Sequence, residues 1–402
     1  MRNVSLSPLR AQLPAFSPIA ASVLLAPVSA AVGGSAALMQ VQRRVMHHLG
    51  AREVLLLDSG TSALLVAIEA ATDGGRLGPV ALPAYCCYDV ATAALGAGTP
   101  ALLFDVDSET LSPDLQSVER CLSQGAAAVV VAHLYGVPVD VGALQRAVNG
   151  AGGVLIEDAA QAMGAAVGTK PAGASGDLSV LSFGRGKGLT GGGGGALVAL
   201  SARGAALMGA ARRRAGSAPL GVLKWAALIG QWLFGRPSLY RVPLGIRSLH
   251  LGETRFRSIW PPVEMPAMWA SALLRTWDSS LAEVDVRRRH AGRLLGSIVT
   301  GRLREVRLHP AARASHLRLP LMADTQIAQA VEHGQGRLLG IARGYPKALC
   351  DLPQMRTGLA VGGGEWPGAR ALATGLVTLP THSLLAERDL LALEQWVAGW
   401  GK

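Results

Sequence analysis

Two short apolar runs lie close together between Val154 and Gly195, and each ends in a group able to do chemistry. The first, Val154-Leu155-Ile156, leads into Glu157-Asp158-Ala159-Ala160-Gln161. The second, Leu178 to Phe183, delivers Lys187 into a turn that closes in five consecutive glycines, Gly191 to Gly195. Runs of this kind read as strands buried on both faces, and an open α/β sheet places its ligands at the carboxyl ends of such strands. A lysine in a desolvated pocket can lose its proton and become a nucleophile, which Schiff-base chemistry requires. An upstream acid could then hold a pyridine nitrogen protonated, as a pyridoxal phosphate site needs. Spacing alone equally allows a surface lysine in a loop beside an ordinary strand-end aspartate.

The rest of the chain alternates strand and helix patterns. Residues 37–49 show helical spacing (Leu38, Val41, Val45, Leu49), and 53–57 read as a strand. Asp58-Ser59-Gly60-Thr61-Ser62 then opens a helix, where small polar residues offer hydroxyls, free N–H groups and the positive end of the dipole. Strands follow at 80–82, 101–107 and 127–132, with helices at 113–122 and 141–148 between and after them. Another strand at 197–200 precedes a basic helix at 202–214, and a long helical pattern fills 264–295. A strand at 316–321 and a last helix reaching Trp396 belong to a smaller unit. Such alternation argues for α/β architecture with a mostly parallel sheet between helices.

Composition bounds the function. With 402 residues, half of them hydrophobic and 16% charged, the chain has enough material for two cores and too little polarity for disorder. The net charge of +11 favours anionic ligands such as nucleotide-linked sugars or phosphates. Nucleic acid ranks low, because the arginines are scattered and not interleaved with aromatics. Cys86, Cys87, Cys121 and Cys350 lack metal-ligand or disulfide-framework spacing, which points to a reducing compartment. No metal site is expected. Residues 18–31 resemble an export signal but are interrupted by Pro18 and Pro27. Residues 220–234 are too short for a comfortable span, and Trp225 and Trp232 leave peripheral membrane contact open beside a buried-helix reading.

Asp158-Ala159-Ala160-Gln161, Ser182-Phe183 and Lys187 resemble the sugar aminotransferases of the DegT/DnrJ/EryC1/StrS family. The resemblance extends over about residues 35–400 and is strongest at 58–64 and 154–187. It implies the pyridoxal-phosphate (PLP) transferase fold of type I. The large domain, with its seven-stranded sheet and N-terminal arm, would span 1–260. The linking helix and small C-terminal α/β domain would span 261–402. By the same resemblance Lys187 carries the cofactor, Asp158 pairs with the pyridinium nitrogen and Gln161 lies beside the ring's phenolic oxygen. Gly60, Thr61, Ser62 and Ser182 hold its phosphate.

There are departures. Where relatives stack an aromatic on the ring, Cys87 stands, so Tyr88 is the candidate replacement, with helix packing its alternative. The glutamate that often follows the lysine turn is missing from Gly192 to Gly195, and Gly193 is expected to serve loop conformation. His133 is expected to be structural. Leu251 to Arg257 replaces a turn that in relatives reaches the partner's site, with Thr254, Arg255 and Arg257 as substitutes or a solvated turn.

The implied activity is transfer of an amino group from glutamate to a keto sugar, usually nucleotide-linked, for polysaccharide or glycoconjugate synthesis. A cytoplasmic homodimer with shared active sites is implied as well. Lys187 argues against the family's dehydratases, which have histidine there. The alternatives are a different PLP reaction, a non-sugar keto substrate, or a catalytically silent scaffold.

Overall fold

The computed structural model describes residues 10–246, 255–258, 260–299, 301–331, 335–360 and 364–400. A turn of 3-10 helix, Ala21–Leu25, leads into helix α1 (Ala26–Leu49) and strand β1 (Glu53–Leu57). Then come α2 (Gly60–Thr72), β2 (Val80–Pro83), α3 (Tyr88–Gly96), β3 (Ala101–Phe104), α4 (Leu115–Ser123), β4 (Ala128–Ala132), α5 (Gly142–Gly150) and β5 (Val154–Asp158). The short strands β6 (Ala166–Val167) and β7 (Lys170–Pro171) precede β8 (Leu178–Ser182), β9 (Gly195–Ala199) and α6 (Ala202–Arg214).

The main sheet has seven strands in the order β1-β9-β8-β5-β4-β2-β3. The five strands from β3 to β8 run parallel, while β9 is antiparallel to both of its neighbours. This is the mostly parallel sheet expected from the sequence. Its strands are apolar on both faces because helices cover both: α2 and α3 share one buried cluster, α4 and α5 another. Removing each Val or Ile side chain of β4 and β5 from water contributes about 1.5–3 kcal/mol before entropy is counted. Their shared register, Ala128 beside Val154 through Ala132 beside Asp158, brings His133 next to the carboxyl end of β5.

After α6 the chain forms α7 (Val222–Phe234), α8 (Arg241–Gly245) and the long α9 (Ala267–Leu295). The second part contains β10 (Leu303–Glu305), β11 (Ala312–Arg313), β12 (Leu319–Ala323), α10 (Thr325–Ala330), α11 (Gln335–Leu338), β13 (Ala342–Arg343), α12 (Pro367–Gly375), β14 (Leu376–Leu379) and α13 (Glu387–Ala398). Its four-stranded antiparallel sheet, β10-β12-β14-β13, has its own apolar core with the end of α9 and with α13.

Several boundaries differ from the sequence reading. Helix α1 starts at Ala26, not at residue 37, because Pro27 sits in its first turn, where a fixed φ favours the helix and no N–H is missed. A break at Gly33 (φ −150°) is absorbed within it. The third strand stops at Phe104, since the Asp105 carboxylate turns back to accept from the N–H groups of Val106, Gly368 and Ala369. The long helix begins at Ala267 rather than 264, behind Pro266. The strand expected at 316–321 runs from 319 to 323, because His316 takes a left-handed φ of 45°.

The N-terminal arm is not loose. Ala11, Gln12, Leu13 and Ser17 are buried. The Gln12 N–H donates to Leu338 O, Arg10 bridges Asp389 at 2.5 Å, and Leu13 O lies 2.8 Å from His382 Nε2.

Candidate active site

A cavity opens at the carboxyl ends of β5 and β8 and at the start of α2. Gly60, Thr61, Asp158, Gln161, Ser182 and Lys187 line it, together with Cys87, Asp89 and His133. Six of the eight residues singled out from the sequence therefore meet in one place. Ser62 and Tyr88 are not among its lining residues. The Ser62 hydroxyl lies 2.9 Å from Ser59 Oγ, inside the helix cap. The Tyr88 hydroxyl accepts from the Lys347 N–H at 2.9 Å and its ring packs 6.1 Å from Tyr345, so helix packing is where the structure places it. Of the altered turn at 251–257, Thr254 lies outside the described residues.

Local sequence explains the arrangement. Ser59 caps α2 by accepting from the Ser62 N–H at 3.0 Å, so the first turn of α2 is formed and aimed at the cavity. Gly60 and Gly195 let that turn approach the sheet. A Cβ on Gly60 would lie 2.7 Å from the Ser182 Cβ, and one on Gly195 would lie 2.5 Å from the backbone of Ser59 and Gly60. The glycine run after the lysine turn is thus packed tightly. Gly194 has φ +102°, and a Cβ on Gly193 would sit 3.0 Å from the Trp269 ring.

Asp158 ends β5. Its carboxylate accepts one hydrogen bond, from the Ala160 N–H at 3.0 Å. Burial pushes it above the ordinary carboxylate range, while the Lys187 charge and that N–H pull it back. Lys187 is half-buried, and its amine has no hydrogen bond or salt bridge to any described residue. Its backbone carbonyl accepts from the Ser17 hydroxyl of the N-terminal arm. Gln161 is held at both ends: Oε1 accepts from the Tyr135 N–H at 2.9 Å, and Nε2 donates to the Tyr345 hydroxyl at 2.7 Å. The rings of Tyr85, Tyr88 and Tyr135 surround Tyr345, each within about 6 Å. Nothing in the local sequence around Gln161 announces Tyr345, which arrives from the second part of the chain.

His133 reaches the cavity lining, and both of its ring nitrogens have protein partners. Its Nδ1 accepts from the Val139 N–H at 3.0 Å, which leaves the proton on Nε2, 2.9 Å from the Glu157 carboxylate. Glu157 also accepts from the N–H groups of Gly173, Ser175 and Gly176. Burial opposes its ionisation, but these bonds outweigh that and hold it below the ordinary range. Cys87 stands beside the cavity where relatives carry an aromatic, and burial pushes its thiol up to about 12, so it is a neutral wall group.

The residues fit PLP. A helix N-terminus with adjacent hydroxyls suits a phosphate, a half-buried carboxylate with spare acceptor sites suits a pyridinium N–H, and an amine unpaired among the described residues suits a carbonyl carbon.

The fold is that of the PLP-dependent sugar aminotransferases. The solved structure of CalS13 from Micromonospora echinospora superposes with a TM-score of 0.73 at 21% identity, covering 96% of this chain and 99% of that one. DesI, solved with its TDP-sugar product, gives 0.75 at 19% identity over 98% and 94%. Residues 35–217 match the model of the DegT/DnrJ/EryC1/StrS aminotransferase family. Among characterised relatives, dTDP-4-dehydro-2,3,6-trideoxy-D-glucose 4-aminotransferase of Saccharopolyspora spinosa is 36% identical over 139 residues, 34% of this chain and 36% of that one. UDP-N-acetyl-3-dehydro-alpha-D-glucosamine 3-aminotransferase of Acidithiobacillus ferrooxidans is 32% identical over 143 residues, 35% and 38% of the two chains. Each match therefore spans little more than a third of the relative's length.

Proposed function

We propose that this chain is a PLP-dependent aminotransferase that converts a keto sugar, nucleotide-linked, to an amino sugar with glutamate as donor, in polysaccharide or glycoconjugate synthesis. The observation that carries the reading is the Lys187 amine, unpaired among the described residues, facing the same cavity as the half-buried Asp158 carboxylate and the first turn of α2. When bound, PLP supplies an electron sink that makes the donor's α-proton removable.

The chain's own residues do the rest. Asp158 would be the acceptor for the N–H of a pyridinium ring, an interaction that would keep such a ring electron-poor. Gly60, Thr61 and Ser182 hold the phosphate with N–H and hydroxyl groups. Gln161, fixed between Tyr135 and Tyr345, borders the ring's oxygen edge. The Lys187 amine would be the group that holds the cofactor and, when free, would move a proton as base and then as acid. A homodimer, a cytoplasmic location and a division between domains at residue 260 belong to the same proposal and rest on the family resemblance.

The test is a visible spectrum of purified protein with PLP, before and after glutamate, followed by turnover of dTDP- and UDP-linked keto sugars. The expected result is a cofactor band that glutamate bleaches and a keto sugar restores. Lys187→Ala should lose the band and lower turnover on the order of a thousandfold or more. Absence of any band in the wild-type protein would refute the reading.

A further inference from the structure

One large apolar surface lies outside the active site. Helices α1 and α7 pack against each other at their inner faces, where Val23, Ala26, Leu228 and Ala272 form a small core joined by Trp225. The Trp225 indole N–H donates to Val23 O at 3.4 Å. Their outer faces carry Leu25, Val28 and Val32 on one helix and Leu223, Leu233 and Phe234 on the other, all exposed. Val32 and Leu223 are each 87% exposed. Val28 and Val32 lie one helical turn apart on α1 before its break at Gly33, next to Leu25, so they make a patch and not scattered apolar positions.

The two chain segments that hold these helices are basic in sequence, although Arg10, Arg44, Arg212 and Arg214 within them pair with Asp389, Asp278, Glu53 and Glu69. Residues 1–52 and 178–252 contain fifteen of the chain's 38 lysines and arginines and none of its 27 acids. The remainder carries a slight excess of acid, so these two segments account for the whole positive balance. Lys224, Arg236 and Arg241 lie exposed on or beside α7 and make no salt bridge with a described residue. Lys224 and Arg236 sit over the rings of Trp269 and Trp232. Both stripes also fall mainly outside residues 35–217, the part that carries the family match.

We propose that the outer faces of α1 and α7 dock the protein on a bilayer with anionic headgroups, the two helices lying in the interface plane. An apolar stripe flanked by unpaired cations and indole rings is the pattern that lies at such a surface. The stretch 21–49 is long and apolar enough to cross a membrane, with mean hydropathy 1.7 in its most apolar window. However, Ala37, Val41, Val45 and Leu49 are buried against the large domain, so the helix is anchored along one side and offers only the other. A second copy meeting the same face would set cation against cation, which disfavours it as the occupant.

The experiment is co-sedimentation of the full chain with phosphatidylcholine vesicles and with mixed phosphatidylcholine–phosphatidylglycerol vesicles, at low and high salt. Binding to the mixed vesicles only, weakened by salt, is expected. Val32→Glu with Leu223→Glu, and separately Arg236→Glu with Arg241→Glu, should each weaken it about tenfold or more. These positions are exposed, so circular dichroism and the cofactor band should stay unchanged and separate lost docking from lost folding. Equal binding to both vesicle types would overturn the proposal. So would absence of binding, and a Val32→Glu/Leu223→Glu protein that then changes from dimer to monomer would assign the face to a second copy.

Discussion

Glu157 and Asp158 are neighbours in sequence and opposites in environment. Strand alternation sends them to different faces of β5. Glu157 meets three N–H groups and His133, while Asp158 meets one N–H and the cavity. Glu157→Gln places an amide among donors and should destabilise the fold by about 3 kcal/mol, read from urea unfolding. Asp158→Asn should leave that stability within about 1 kcal/mol and instead abolish the glutamate-dependent bleaching of the cofactor band. Sequence pattern singled out Asp158 and Lys187 because strand-end acids and a lysine before a glycine run are local signals. It could not weigh Tyr88 against Cys87, since which one faces the cavity depends on how α3 rotates as it packs on Tyr345.

At the scale of elements, the glycine run is where strand and helix collide. Gly195 opens β9 and lies against the backbone of Ser59 and Gly60, so the start of α2 can reach the cavity only if position 195 has no side chain. Gly195→Ala should cost about 1–3 kcal/mol through the shift it forces. It should also weaken PLP binding, measured by titrating the cofactor band, because the phosphate end of the site is displaced. The strands of the main sheet were readable as continuous apolar runs. The start of α1 was not, because Pro14, Pro18 and Pro27 suggest a broken arm, and only contact with α7 and α9 makes helix the better solution there.

The whole molecule is sensitive to acid through two histidines at the junction of its parts. Burial pushes His382 down to about 4, where its Nε2 meets Leu13 O of the arm, and burial also pushes His316 down to about 4. In the unfolded chain both titrate near 6.5, so the unfolded state takes up protons first as the pH falls. Stability should therefore be full above about pH 6.5 and decline between 6.5 and 4, by on the order of 3 kcal/mol per histidine. Urea unfolding across that window, with His382→Gln for comparison, checks it; the variant should show the smaller loss. The sequence by itself determined the alternating α/β order and the mostly parallel sheet, because periodicity, strand ends and helix caps act over a few residues; the same local signals marked Asp158 and Lys187, whereas Gly60, Thr61, Gln161 and Ser182 were named through the family resemblance. Only the tertiary structure decided what closes the site and what is left open. The Tyr345 clamp on Gln161, the arm bound by Ser17 over the Lys187 turn, and the outer stripe of α1 and α7 join residues far apart in the chain, and no local pattern encodes such contacts.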